Sequence, residues 1–120
     1  MILLDDILSE FHYRLDPAKR IQCFGKDTGF EFLTNVPRLV CTDGYTVSMQ
    51  ASAYVHCAPQ DNIGPWVAVE LGFSSAADYT IAKYAEDSSN LTDTVYNMVP
   101  LIVVALLIQK HDGLEPVPIL

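Results

Sequence analysis

Positive charge is scarce in this sequence. Seven Lys and Arg stand against 15 Asp and Glu, a formal net charge of -8. Such a field repels nucleic acid and anionic membranes and favours basic protein surfaces. Neither direct nucleic-acid binding nor membrane binding is therefore expected, although the same acidity also keeps a small apolar chain in solution. Long apolar runs are missing too. The longest, from Met98 to Ile108, has eleven residues without a polar side chain, and a membrane span needs about 20. Cysteines are few and odd in number: Cys23, Cys41 and Cys57 follow no metal-ligand spacing, so neither a disulfide framework nor a metal site is expected. Gly25, Gly29, Gly44, Gly64 and Gly72 form no phosphate-cradling pattern. Met1-Ile2-Leu3-Leu4 runs directly into Asp5-Asp6, which is not the layout of a secretion signal. A reduced, cytoplasmic protein without a cofactor is the expectation.

What is present is a core. The chain has 120 residues, 50% hydrophobic and only 18% charged, enough for one domain that buries its own apolar surface. The 98–108 stretch predicts a helix, with Asn97 as N-cap and Pro100 in its first turn. Lys110 and His111 suit the last turn, and Gly113 the left-handed position after it. A helix apolar on every side should be buried on most of its surface. Leu4, Ile7, Leu8, Phe11 and Leu15 recur at three- and four-residue spacing, which predicts an amphipathic helix over 2–15 that covers one side of it. Asp16-Pro17 ends that helix.

Between the helices the pattern is β. Short strands are expected at 21–24 and 30–33. From Tyr45 to Cys57, apolar residues hold every odd position, which predicts one long strand with a buried face. Asp43-Gly44 makes a hairpin turn. A three-residue loop, Thr42-Asp43-Gly44, would pair Cys41 with Tyr45 and Leu39 with Val47, keeping apolar opposite apolar; a two-residue loop would not. A further alternating strand is expected over 66–73, with Val67, Val69, Leu71 and Phe73 on one face and Trp66, Ala68, Glu70 and Gly72 on the other. Ser75 and Asp78 resemble a capping box and predict a helix over 75–86. Val95 and Tyr96 are expected to lead into the last helix. The tail 114–120, with Pro116 and Pro118, is expected to be extended. The expected fold is a single α+β domain. An antiparallel meander of four or five strands packs on a central apolar C-terminal helix, with the N-terminal amphipathic helix beside it.

No catalytic constellation stands out. His56 and Cys57 are neighbours in the predicted strand and point to opposite faces, so Cys57 reads as a core thiol. His12 and His111 read as boundary or capping residues. The outward aromatics and acids carry the functional expectation. Tyr54 and Trp66 should lie on the polar sheet face as interface anchors, with Glu70 beside them and Glu86 and Asp87 nearby. Tyr54, Trp66, Glu70, Glu86 and Asp87 are therefore the expected partner-binding residues. Two other expectations are a homo-oligomeric assembly subunit that buries the apolar helix and tail, and a small enzyme or ligand-binding domain with a pocket near Glu70, His56 and Trp66.

Val69-Glu70-Leu71-Gly72-Phe73-Ser74, Tyr84-Ala85-Glu86-Asp87, Thr92-Asp93-Thr94-Val95-Tyr96 and His111-Asp112-Gly113 cover roughly the second half of the chain. These segments resemble small accessory proteins of phages and prophages. The resemblance implies an accessory role in a phage or mobile element, which would place a phage-encoded chain in the host-cell cytoplasm; the non-enzymatic expectation rests on the missing catalytic constellation. Small acidic proteins in that setting bind and block host proteins, including nucleic-acid-handling defence complexes, as anti-CRISPR proteins do.

Overall fold

The computed structural model describes residues 2–17 and 36–116. The strands expected at 21–24 and 30–33, Cys23, and the end of the tail at 117–120 lie outside the described residues. The rest is an α+β fold. Helix α1 (Leu4–Leu15) precedes a four-stranded antiparallel sheet, β1 (Leu39–Val40), β2 (Thr46–Gln50), β3 (Ala68–Gly72) and β4 (Val95–Pro100), and helix α2 (Leu101–Lys110) follows it. The strands lie in chain order, β1-β2-β3-β4, as a meander of antiparallel neighbours does.

Helix α1 forms where the apolar stripe predicts. Ile7, Phe11 and Leu15 are buried, Asp5 and Asp6 sit in the first turn, and Asp16 ends the helix in extended backbone. Each such side chain contributes about 1.5–3 kcal/mol on burial. The helix packs along α2, and its buried side chains join Val47, Met49, Val69, Leu71, Tyr96, Val99, Val104, Leu107 and Ile108 in one core.

The hairpin uses the three-residue loop. Leu39 pairs with Val47, and the Cys41 amide donates to the Tyr45 carbonyl at 2.8 Å. Gly44 takes φ +96°, and the Asp43 carboxylate accepts from the Tyr45 amide at 2.9 Å. Apolar pairing therefore selected the register, and glycine made the turn accessible.

Three expectations are corrected. First, the strand begun at Tyr45 stops at Gln50. Beyond it, Asn62 Oδ1 takes the Ala53 amide and Ser52 Oγ the Tyr54 amide. These polar side chains satisfy donors that a ladder would otherwise use. Second, 75–86 is not an α-helix; it holds one 3₁₀ turn at Ala82–Tyr84. Ser75 Oγ accepts from the Thr46 amide of β2 instead, and Asp78 turns toward α2. Third, 95–100 is a strand, and α2 begins only at Leu101, with Pro100 rather than Asn97 at its N-cap. As expected, α2 is buried on most of its surface. Leu101, Val104, Ala105, Leu107 and Ile108 are buried, but Ile102 is 47% and Leu106 44% exposed.

Trp66 also departs from expectation. It lies just before β3, where alternation does not yet hold, and it is only 2% exposed while Val67 is 71% exposed. The Val67 backbone is held by Ala58 and by the first amide of α2. Phe73, expected to face inward with Leu71, is half-exposed, because its backbone turns left-handed at φ 51°. The Trp66 ring lies against Gly64, where a Cβ would sit 2.6 Å from ring carbon Cε3, and Gly64 holds φ +70°. Gly64→Ala combines overpacking with a disfavoured φ. It is expected to cost about 2–4 kcal/mol, read as a lower urea midpoint with the m-value unchanged.

Candidate functional site

The outer face of the sheet follows from strand register. Val47 and Met49 point into the core, so Thr46, Ser48 and Gln50 point away. Pairing sets Ser48 against Gly72 and Gln50 against Glu70. Between β3 and β4, Leu71 pairs with Tyr96 and Val69 with Val99, with a register shift between them. Glu70 therefore opposes two residues, Asn97 and Met98, in a bulge. Bulges re-aim side chains: Tyr96 and Val99 are both buried, whereas Met98, at φ 52°, is 47% exposed.

Two polar attachments complete this face. The loop after β2 is clipped over the bulge, because the Met98 amide donates to the His56 carbonyl at 3.1 Å. Glu70 Oε2 accepts from the His56 amide at 3.1 Å and lies 3.3 Å from its ring Nδ1. On the other side, the Glu86 amide donates to the Val95 carbonyl at 2.9 Å, and Asn97 Nδ2 donates to Glu86 Oε2 at 3.2 Å. Gln50, Glu70, Asn97 and Glu86 thus form a row across β2, β3, β4 and the edge segment. Asp87 continues it into an exposed loop that also carries Asp93. Hydrogen bonds from Ser89 hold the Asp87 carboxyl below the usual carboxylate range.

Of the expected partner-binding residues, the row unites Glu70 with Glu86, and Asp87 follows directly. Tyr54 is 67% exposed, two residues from His56 in the clipped loop. Trp66 is corrected: it belongs to the core and cannot anchor a partner. The pocket expected near Glu70, His56 and Trp66 loses its aromatic wall for the same reason. Cys57 is buried, its Sγ near the Ser52 and Pro59 carbonyls, and burial pushes its thiol up. That is the environment of an inert core thiol. Chemically, Glu70 and Glu86 are the row's acceptors for cationic donors, since Gln50 Oε1 already accepts from the Val36 amide at 3.0 Å. Arg38 lies at the far end of the face, committed to Thr46 Oγ1 and the Phe73 carbonyl.

A second cluster escaped the sequence. His111, just past α2, stacks on Tyr45 with ring centroids 4.0 Å apart and planes 8° from parallel. Its Nδ1 is 2.7 Å from Asp43 Oδ2, and its Nε2 is 2.8 Å from Asp78 Oδ2. Lys110 Nζ reaches Asp78 Oδ1 at 3.1 Å, and the Thr80 amide reaches the same oxygen at 2.9 Å. Both ring nitrogens face carboxylates, so both bonds form only when the ring carries two protons. Burial alone would lower the His111 pKa, but Asp43 and Asp78 outweigh it and raise it. Asp78 is 4% exposed. Burial opposes its charge, yet hydrogen bonds from Thr80, His111 and Lys110 win and hold its carboxyl down at about 2. No signal along the chain joins these residues, which come from three separate segments.

Among the described residues, no group of three or more His, Cys, Asp or Glu is placed to hold a metal ion. Among them, too, no helix is long and apolar enough to cross a membrane. The fold and outer face define a small α+β protein with two carboxylates, Glu70 and Glu86, in one row on the outer side of its sheet. Comparison with family models, curated proteins and solved structures found no match to this chain.

Proposed function

We propose that this protein is a non-catalytic binding protein that presents its acidic outer sheet face to a basic protein partner. The reading extends to an inhibitor of a host nucleic-acid-binding protein, of the phage accessory or anti-CRISPR type that the sequence resembles. The observation that carries it is the Gln50–Glu70–Asn97–Glu86 row with Asp87 at its edge. The strands and the bulge hold these acceptors in place, so little ordering entropy opposes binding there. The chain's charge of -8 steers cationic surfaces toward it.

The test is affinity purification on the tagged chain at low and high salt, with identification of what is bound. A basic nucleic-acid-binding protein retained at low salt and released at high salt supports the reading. The triple variant Glu70→Lys, Glu86→Lys, Asp87→Lys is expected to weaken that complex at least about tenfold, mainly by slowing association. Unchanged binding by a folded triple variant sinks the proposal.

Assembly with itself is favoured by a different observation, the exposed pair Ile102 and Leu106 one turn apart on α2. A second copy would cover these side chains. A salt-resistant oligomer in light scattering, lost in Leu106→Glu, supports that reading; a monomer at all concentrations ends it.

A further inference from the structure

We propose that His111 is a protonation latch, which fastens the β1–β2 hairpin and the chain segment 113–115 to the body of the protein when its ring is doubly protonated and releases them when it is not. The segment it guards runs beside β1. The Thr42 amide donates to the Gly113 carbonyl at 2.9 Å, Leu114 bridges to Cys41, and the Glu115 amide donates to the Val40 carbonyl at 2.8 Å. Arg14 Nη2 caps it with a bond to the Glu115 carbonyl at 3.1 Å. His111 stands at the root of this pairing. Its ring joins the hairpin turn, through Asp43, to the 78–80 turn, through Asp78.

Loss of one ring proton leaves one donor for two carboxylates. The two acids are not equal. Asp78 is buried and cannot be hydrated, so a lone pair facing it would be costly. Asp43 is exposed and can turn to water. The remaining proton therefore stays on Nε2, and the bond to Asp43 breaks. Asp43 retains its bond to the Tyr45 amide, so the turn keeps its shape while its side-chain tie to the end of α2 is lost and only the long bond from the Asp43 amide to the His111 carbonyl, at 3.4 Å, remains. The other groups around the ring do not blunt this switch. Burial pushes Tyr45 and Cys41 each up to about 12, so both stay neutral as the ring titrates. Lys110 already spends its charge on Asp78, and Asp112 is exposed beside the ring in the chain.

The experiment is solution NMR on the full chain, titrated upward from about pH 6, below the ordinary imidazole value, through the raised His111 titration. Ring nitrogen shifts report how many protons His111 carries. Hydrogen-exchange protection of the Thr42 and Glu115 amides is compared with that of Phe73 and Leu101, which pair with Thr94 and Val67 in the sheet. As the ring loses its proton, the Thr42 and Glu115 protection should fall about tenfold against the references, the equivalent of one charge-assisted hydrogen bond. His111→Gln should show low, pH-independent protection at both amides. Asp43→Asn keeps an oxygen for the Tyr45 amide and should shift the transition to lower pH. Protection that stays flat in the wild type overturns the latch, as does a pH response that persists in His111→Gln or does not move in Asp43→Asn.

Discussion

Trp66→Ala is expected to destabilise the protein by about 3–5 kcal/mol, the usual cost of emptying a buried aromatic site. The side chain is 2% exposed and sits in the core cluster with Cys57, Val69 and Leu71. Its neighbours cannot collapse freely into the space, because Gly64 and Pro65 fix the chain beside the ring. Chemical denaturation is the direct measurement. Fluorescence adds an independent one, since Trp66 is the only tryptophan: native emission should be blue-shifted and move to the red on unfolding. Binding gives the contrast. At temperatures where the variant is still folded, its affinity for a basic partner should match that of the wild type. A stable Trp66→Ala protein that no longer binds would mean that Trp66 is a surface anchor after all, and would overturn its place in the core.

The second large effect is expected at Asp78. Asp78→Ala removes a buried carboxylate that accepts from His111, Lys110 and the Thr80 amide. It strands the His111 ring, and a loss of roughly 3 kcal/mol near pH 6 is expected. The pH profile identifies the cause. Asp78 has a lowered pKa, so its contribution is complete above the ordinary aspartate value and disappears as the pH falls toward about 2. His111 has a raised pKa, so its contribution is complete below the ordinary imidazole value and disappears as the pH rises through the raised one. Wild-type stability should therefore be greatest between about pH 4 and about pH 6.5. Asp78→Ala should make the acid side shallower, with the lowered Asp43, Asp61 and Asp87 carboxyls supplying what remains of it, and weaken the alkaline side, since His111 then keeps only Asp43. A variant with the wild-type pH profile, merely displaced downward, would show that packing and not charge carries the loss.

These effects concern stability, whereas the acidic row concerns recognition, and the two are separable. Asp43, Asp78 and His111 lie at the hairpin and the end of α2. Glu70, Glu86 and Asp87 lie on the outer face and its edge. Charge reversal at Glu70 and Glu86 should leave the Asp78 and His111 contributions to the pH profile of unfolding intact, and loss of the clamp should leave the row in place.

Much of the fold was legible in sequence because its determinants are local. Ile7, Phe11 and Leu15 repeat at a helical period, and Asp16-Pro17 marks where that period ends. The hairpin register was decided by asking which loop length keeps Leu39 and Val47 together, and Gly44 takes the conformation that loop requires. Of the expected site residues, Glu70 was placed by alternation inside a true strand. Trp66 was misplaced by the same rule, carried two residues beyond where the strand begins. Strand β4 was hidden because its bulge puts Asn97 and Met98 on one side, which breaks the period of two that would have announced it. The helix expected over 75–86 failed for the converse reason. Ser75 and Asp78 have capping chemistry, but Thr46, Lys110 and His111 claimed it.

The sequence by itself determined the α+β class, the first helix, the hairpin and its register, the apolar character of α2 and the acidic balance. Each depends on residues within a few positions of one another, where geometry follows from spacing. Only the tertiary structure decided that Trp66 is core, that Gln50, Glu70, Asn97 and Glu86 share a row, and that His111 lies between Asp43 and Asp78. Those outcomes join residues tens of positions apart. Hydrogen bonds and burial available only in the folded chain stabilise them, and no local period in the sequence encodes such partners.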